Sequence, residues 1–325
     1  MDALSDVLRI ARLKGGVFLH AEFTEPWCIA AQMVPELCAP FMGPVEHLIP
    51  YHYVVEGELL VRIADGDVEP VRLGAGEVVL VPHNDVHLMG SAIRGTPVPA
   101  GDIICPPQGC GLFSVRHGGG GKAARVVCGF LGCDGARNNP VLSTLPPLLV
   151  LNVDEGGGAE WIRSTFQFAA DEVASGRPGS EAVLSKLSEL LFVEAIRRYS
   201  LAMPEGQTGW LAGLRDPYVS RAVALFHGDL ARPWTIDDLA REVGLSRSAL
   251  AERFVRLLGV PPIQYLANWR MQVASQELRN TAASLAQIAN VVGYDSEAAF
   301  SRAFKRAFGS APASWRKSAV SAQAA

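Results

Sequence analysis

Nowhere does the sequence hold an apolar run near the ~18 residues that a membrane-spanning helix needs, and no charged start leads into an apolar stretch like that of a secretory signal. The expectation is a soluble, cytoplasmic chain with no membrane partner. Cysteine is scarce too, six in 325 residues (Cys28, Cys38, Cys105, Cys110, Cys128, Cys133). In a reducing compartment these are free thiols or metal ligands, not structural disulfides.

What is present begins with size. A chain of 325 residues, 49% of them apolar, exceeds one compact core and suggests two domains. The formal net charge of -4 hides an asymmetry: from residue 216 onward there are 13 Lys/Arg against 9 Asp/Glu, whereas residues 1 to 215 hold 16 against 24. A surplus of cations confined to one part suggests that this part meets a polyanion.

The first half reads as β structure. Short apolar runs such as "HYVVEGELLVRI" and "GEVVLVPH" alternate with the turn signals "ADGD" and "LGAG", a pattern of sandwiches and small barrels. "GSAIRGTPVPAGDIICPPQGCG" and "RHGGGG" read as loops carrying Cys105, Cys110 and His117. After Leu151 the period becomes helical: "AEWIRSTFQFAADEVASG" and "SEAVLSKLSELLFVEAIRRYS" flank Arg177-Pro178-Gly179. A stripe of Val183, Leu187, Leu190, Leu191 and Ile196 on the second helix fits either packing on the β domain or a dimer interface. "LAMPEGQTGWLAG" follows as an expected linker.

Residues 239–265, "LAREVGLSRSALAERFVRLLGVPPIQY", are repeated by residues 288–315, "IANVVGYDSEAAFSRAFKRAFGSAPASW". Val243 and Gly244 recur as Val292 and Gly293; Leu250, Phe254, Gly259, Pro262 and Tyr265 recur as Phe300, Phe304, Gly309, Pro312 and Trp315. Each copy is a helix, a glycine turn and a second helix, the helix-turn-helix pattern. Thr235 with Asp238 and Ser284 with Gln287 have capping-box spacing, and Ser246 and Asp295 are suited to cap the second helices. Opposite the buried stripe of each second helix stand Arg247, Ser248, Ala251, Glu252 and Arg256, and Ser296, Glu297, Ser301, Arg302, Lys305 and Arg306. A helix so presented enters the major groove with its first residues at base edges and later cations on phosphates. The intervening "PPIQYLANWRMQVASQELRN" reads as one helical strut of ~27 Å, long enough to hold two readers in neighbouring grooves.

"DLAREVGLSRSALAERF", "GVPPIQYLANWRM", "IANVVGYDSEAAFSRAFKR" and "GSAPASWR" closely resemble the DNA-binding domain of the AraC/XylS family of transcription regulators, over about residues 216–317. The resemblance implies seven helices with two helix-turn-helix units, and usually activation near promoters together with RNA polymerase. More diffusely, "HYVVEGEL", "GAGEVVLVPHNDVHLM" and "RVVCGFLGCDGARNNPVLSTLPPLL" resemble the cupin-type sensor domain of one branch of that family, which implies a small barrel able to hold a ligand or metal.

His83 and His87, four apart in "PHNDVH", could share one metal ion, zinc being the candidate cofactor, with Cys128 on a following strand and Cys110 or His52 completing four ligands. The plainer alternative is imidazoles hydrogen-bonded at the barrel mouth. No carboxylate joins the histidines at facial-triad spacing, although Glu58 follows His52, so a metal-dependent cupin enzyme fused to a DNA reader is the rival and an enzyme is not expected. Cys105 with Cys110, and Cys128 with Cys133, are C-x4-C pairs that would suit oxidant sensing, with Arg116, His117, Lys122 and Arg125 near enough to lower a thiol pKa.

The expected fold is thus α+β and multidomain: a cupin-like β-barrel (1–151), a helical segment for dimerisation (152–200), a linker (201–215), an all-α domain with two helix-turn-helix units (216–317) and a disordered tail (318–325). The expected function is a homodimeric regulator that binds double-stranded promoter DNA in response to a small molecule, metal or oxidant.

Overall fold

The computed structural model describes residues 2–11, 13–34, 38, 45–66, 68–105, 113–133, 139–152, 164–165, 168 and 179–324. They form two compact units, one drawn from Leu13–Asp134 and Leu145–Leu201, the other from Met1–Arg12, Gly135–Thr144 and Ala202–Ala325.

The first unit is the expected β domain. Its strands are β1 (Lys14–Thr24), β2 (Cys28–Ala31), β3 (His47–Glu56), β4 (Glu58–Ile63), β5 (Val71–Gly74), β6 (Glu77–Leu80), β7 (His87–Gly90), β8 (Val98–Pro99), β9 (Phe113–Gly118), β10 (Ala123–Cys133) and β11 (Leu149–Asn152). They make two sheets, in the orders β11-β6-β3-β10-β1-β9 and β5-β4-β7-β2-β8. The pairs β1/β9 and β2/β8 are parallel and the others antiparallel. The run "HYVVEGELLVRI" is divided between the sheets at Gly57, whose φ of 82° and whose absent Cβ, which would lie 2.5 Å from the Ala123 carbonyl, let the chain turn from β3 into β4.

Strand alternation decides what faces the interior. On β3, Leu48, His52 and Val54 point between the sheets, where Val126, Cys128 and Phe130 of β10 meet them. Tyr51 points the other way, against α2 (Ser180–Ala202), and its hydroxyl lies 2.7 Å from Ser188 Oγ. Gly129 pairs with Tyr51 across the ladder, and a Cβ there would meet the phenol ring at 2.3 Å; at Gly15 a Cβ would meet Ser188 Cβ at 2.6 Å. Gly15 therefore lets helix α2 lie close on the sheet, and Gly129 makes room for the Tyr51 ring that reaches it. Its buried stripe is Leu184, Ser188, Leu191, Phe192, Ala195 and Ile196, while Val183 and Leu190 remain 38% and 47% exposed. The apolar stripe seen in the sequence thus serves the sheet with one edge and leaves another uncovered. Most of "AEWIRSTFQFAADEVASG" lies outside the described residues.

The second unit is helical. It contains α1 (Ala3–Ala11), α3 (Trp210–Arg215), α4 (Pro217–Gly228), α5 (Ile236–Val243), α6 (Arg247–Leu258), α7 (Pro262–Asn280), α8 (Leu285–Val291), α9 (Glu297–Phe308) and α10 (Pro312–Ala324). Four differences from expectation stand out. Residues 201–215 are not a plain linker, because Trp210 and Leu211 of α3 are buried core. The start of the chain belongs to this unit, since α1 packs on α4 and α7. Residues 318–324 continue α10 and do not form a separate tail. His117 lies on β9, not in a loop.

Candidate functional site

The repeat legible in the sequence is a repeat in three dimensions. Gly244 and Gly293 both take left-handed φ, 81° and 76°, in the turns, and Gly259 and Gly309 close the second helices at 73° and 76°. Leu250, Phe254, Phe300 and Phe304 are fully buried. Helix starts match as well: Thr235 accepts from Asp238 N, Ser246 from Ala249 N, and Ser284 with Gln287 forms a complete capping box. The cap of α9 is Ser296 and not Asp295: its hydroxyl accepts from Ala299 N, so this candidate DNA contact is engaged in holding its own helix.

With their apolar stripes buried, α6 and α9 expose the opposite faces. On α6 these carry Arg247, Ser248, Glu252 and Arg256, with Ala251 half-buried. On α9 they carry Glu297, Arg302, Lys305 and Arg306, with Ser301 half-buried. Arg247 makes only a loose surface pair with Asp237, 3.7 Å apart and both well exposed, an arrangement that holds little energy in water. Two other arginines are fixed inside the fold. Arg270 donates to the Leu230 and Arg232 carbonyls at 2.9 Å each, and Arg316 donates to those of Leu278 and Ala283. Between the readers α7 runs unbroken for 19 residues, about 28 Å at 1.5 Å per residue. Ten of its side chains are buried, so it is the central helix of the unit as well as a strut.

In the β unit the chemistry gathers around His52, the alternative fourth ligand of the expected metal site. His52 Nδ1 lies 2.9 Å from Cys128 Sγ, His52 Nε2 2.8 Å from His87 Nε2, and His87 Nδ1 2.9 Å from the Asp85 carbonyl oxygen. A carbonyl only accepts, so His87 carries its proton on Nδ1. Its Nε2 must then accept from His52 Nε2–H, which leaves His52 Nδ1 to accept the Cys128 thiol proton. The chain is neutral and every link is made. Burial holds both imidazoles below their ordinary pKa and pushes the Cys128 thiol up to about 12.

This geometry does not assemble the metal site. His83 is exposed and 3.0 Å from the Leu145 carbonyl, apart from the buried His87. Cys128 meets one nitrogen of His52 and His87 the other, so the three donors do not converge on a point. Among the described residues no group of three or more potential ligands does, and Cys110 lies outside them. Glu58 is paired with Arg72 and Lys122, away from the histidines. Nor do Cys128 and Cys133 form a redox pair: five residues apart on one strand, they face opposite sides of the sheet. Cys105 is exposed.

The three linked side chains stand at the wall of a cavity of about 260 Å³ between the sheets, otherwise lined largely by apolar groups such as Leu19, Phe23, Ile29, Met33, Met89 and Val115. Among the described residues, no Asp, Glu, Lys or Arg side chain reaches it. The sequence signal for this site was a polar His52 on the apolar face of β3, recognisable only once the facing of that strand is known.

Two matched helix-turn-helix units on one strut, in a chain that also carries a hollow β domain, define a two-domain DNA-binding regulator. A cupin family model matches residues 2–200 and a helix-turn-helix domain model residues 239–318. The chain is 30% identical over 318 residues to an AraC-like transcription regulator of Streptomyces lividans, covering 98% of each. It is 28% identical over 325 residues to the HTH-type transcriptional regulator AlkR of Acinetobacter baylyi, covering 98% of this chain and 99% of that one. With the RCS-specific HTH-type transcriptional activator RclR of Escherichia coli it shares 25% over 318 residues, 98% of each. The protein belongs to the AraC family of helix-turn-helix transcription regulators with an N-terminal cupin domain. Its relatives are regulators and not enzymes, and among its described residues no helix is long and apolar enough to cross a membrane.

Proposed function

We propose that this regulator binds promoter DNA in the cytoplasm as a homodimer and activates transcription, together with RNA polymerase, when an uncharged and mainly apolar small molecule occupies the cupin cavity. The observation that carries the reading is the cavity itself: about 260 Å³, walled by apolar side chains, with its three linked polar groups already paired to one another. Among the described residues a carboxylate or ammonium ligand would meet no counter-charge there, and it would lose its hydration. An apolar molecule gives up only water contacts on entering. Oxidant sensing at Cys128 is disfavoured, because a thiol raised to about 12 offers little thiolate.

At the promoter, Arg247, Ser248, Ala251 and Glu252 of the first reader, and Glu297, Ser301 and Arg302 of the second, face bases, while Arg256 and Lys305 hold phosphates. The exposed Val183 and Leu190 of α2 are assigned to the second copy. The signal acts by binding one arrangement of the protein more tightly than the other. The decisive test pairs a promoter reporter with the variant Ile29→Trp, which fills the cavity from β2. Operator binding by the variant should persist while induction by uncharged apolar compounds disappears. Normal induction in Ile29→Trp, or induction by carboxylates alone, would reject the cavity as the sensor.

A further inference from the structure

The helical unit contains a cavity of its own, of about 330 Å³, within the range of small-molecule sites. Its wall takes Leu258 from the last turn of α6, Phe308 from the last turn of α9, and Tyr265, Asn268, Trp269 and Gln272 from α7. The four α7 residues follow the i, i+3, i+4, i+7 pattern and share one helix face. Among the described residues, no carboxylate, amine, guanidine or imidazole lines the space.

Gln272 is the feature that calls for an explanation. The residue is 94% buried at the cavity wall, with only 6% exposed. Its backbone carbonyl accepts from Ser275 Oγ at 2.8 Å, but its carboxamide has no partner among the described residues. Buried polar groups are almost always paired, and this carboxamide is left facing the open space of the cavity, where whatever enters can meet it. Beside it, Asn268 Oδ1 accepts from Gln264 Nε2 at 2.8 Å, which leaves the Asn268 N–H groups open. The aromatic polar atoms nearby are already taken: Trp210 Nε1 donates to the Tyr265 hydroxyl at 3.0 Å, and that hydroxyl lies 2.9 Å from His227 Nε2. The hydroxyls of Ser143 and Thr144, also at the wall, donate to the Pro140 and Val141 carbonyls, so among the described residues one free carboxamide and one free amide donor remain to read what enters.

We infer that this cavity is a second ligand site, in the DNA-reading unit itself, for an uncharged planar molecule that carries a hydrogen-bond donor and acceptor side by side, as a lactam does. The carboxamide of Gln272 supplies the complementary acceptor and donor, and the rings of Trp269 and Phe308 supply flat apolar contact. Because the wall draws on the last turns of both reading helices, a bound molecule bears on their spacing, and operator affinity and ligand affinity change by one shared factor. The site does not depend on the cupin cavity being the sensor.

The test uses the full-length protein and quinolin-2(1H)-one as probe, followed by calorimetry and tryptophan fluorescence. Saturable binding of one probe per chain is expected. Gln272→Leu should weaken it at least about tenfold, as should N-methylation of the probe, which removes the donor. Operator binding and thermal stability of Gln272→Leu should stay near those of the parent, which shows that the fold is intact, and Ile29→Trp should bind the probe normally. No saturable binding at millimolar probe, equal binding by Gln272→Leu, or loss of binding in Ile29→Trp would each overturn the inference.

Discussion

At the scale of single side chains, the cations of the helical unit fall into two groups whose substitutions should behave differently. Arg302 and Lys305 are exposed on α9 and carry no ion pair among the described residues. Arg302→Ala should weaken operator binding by about 1–3 kcal/mol if the guanidinium reads a base edge. Lys305→Ala should instead reduce the salt dependence of binding by about one ion, as loss of a phosphate contact does. Neither should shift the melting temperature. Arg316→Ala should do the reverse, lowering stability, because its guanidinium ties the end of α7 to the start of the second reader through two carbonyls. Operator titrations at several salt concentrations, beside thermal melts, separate the groups. Histidine adds a pH dependence. Burial holds His52 and His87 below the ordinary value of 6.5, so above that pH both are neutral folded or unfolded. As pH falls below 6.5 the unfolded chain takes up protons that the folded chain refuses, and stability drops, by up to about 1.4 kcal/mol per pH unit for each ring. Urea melts of the parent between pH 7.5 and 5.5 should show that loss, and the double variant His52→Phe, His87→Leu should show a flatter profile.

At the scale of elements, the two readers are alike in sequence yet unequal in their tolerance. Gly244 and Gly293 occupy the same turn position with the same left-handed backbone, but a Cβ at 244 would enter open space, whereas at 293 it would lie 2.6 Å from Arg270 Nη2 and 2.8 Å from the Ala231 carbonyl. Gly244→Ala should cost about 1–2 kcal/mol, the strain of a non-glycine residue there. Gly293→Ala should cost clearly more and disturb Arg270, a difference that denaturant melts of both variants will measure. Helix α2 on the β unit likewise has an exposed edge and a buried one. Leu190→Asp on the exposed edge of α2 should give a monomer by analytical ultracentrifugation with the fold retained. Gly129→Ala, aimed at the buried side, should destabilise by about 2 kcal/mol or more through collision with Tyr51.

At the scale of the whole molecule, the chain places its cation surplus in the part that carries the helix-turn-helix units and its acid surplus in the other. That division was legible without coordinates. So were the helix-turn-helix repeat, its caps at Ser246 and Ser284, and the strut between the readers, because each depends on local periodicity and on residues a few positions apart. The alternation of short apolar runs and turns likewise marked a β domain.

What the chain order could not reveal was which distant side chains meet. His83 and His87 are near in sequence but diverge, since one lies in a turn at the surface and the other points between the sheets. His52 and Cys128 are 76 positions apart but touch, because β3 and β10 pair in a register that sets them opposite each other. The amide of Gln272 looked like an ordinary helix residue until packing closed a cavity around it. Local sequence determined the elements and the charged faces of the two second helices, for those follow from the helix and strand repeats. The pairings, the cavities and the membership of α1 and α3 in the helical unit were decided by tertiary packing, which depends on how buried faces fit across the fold.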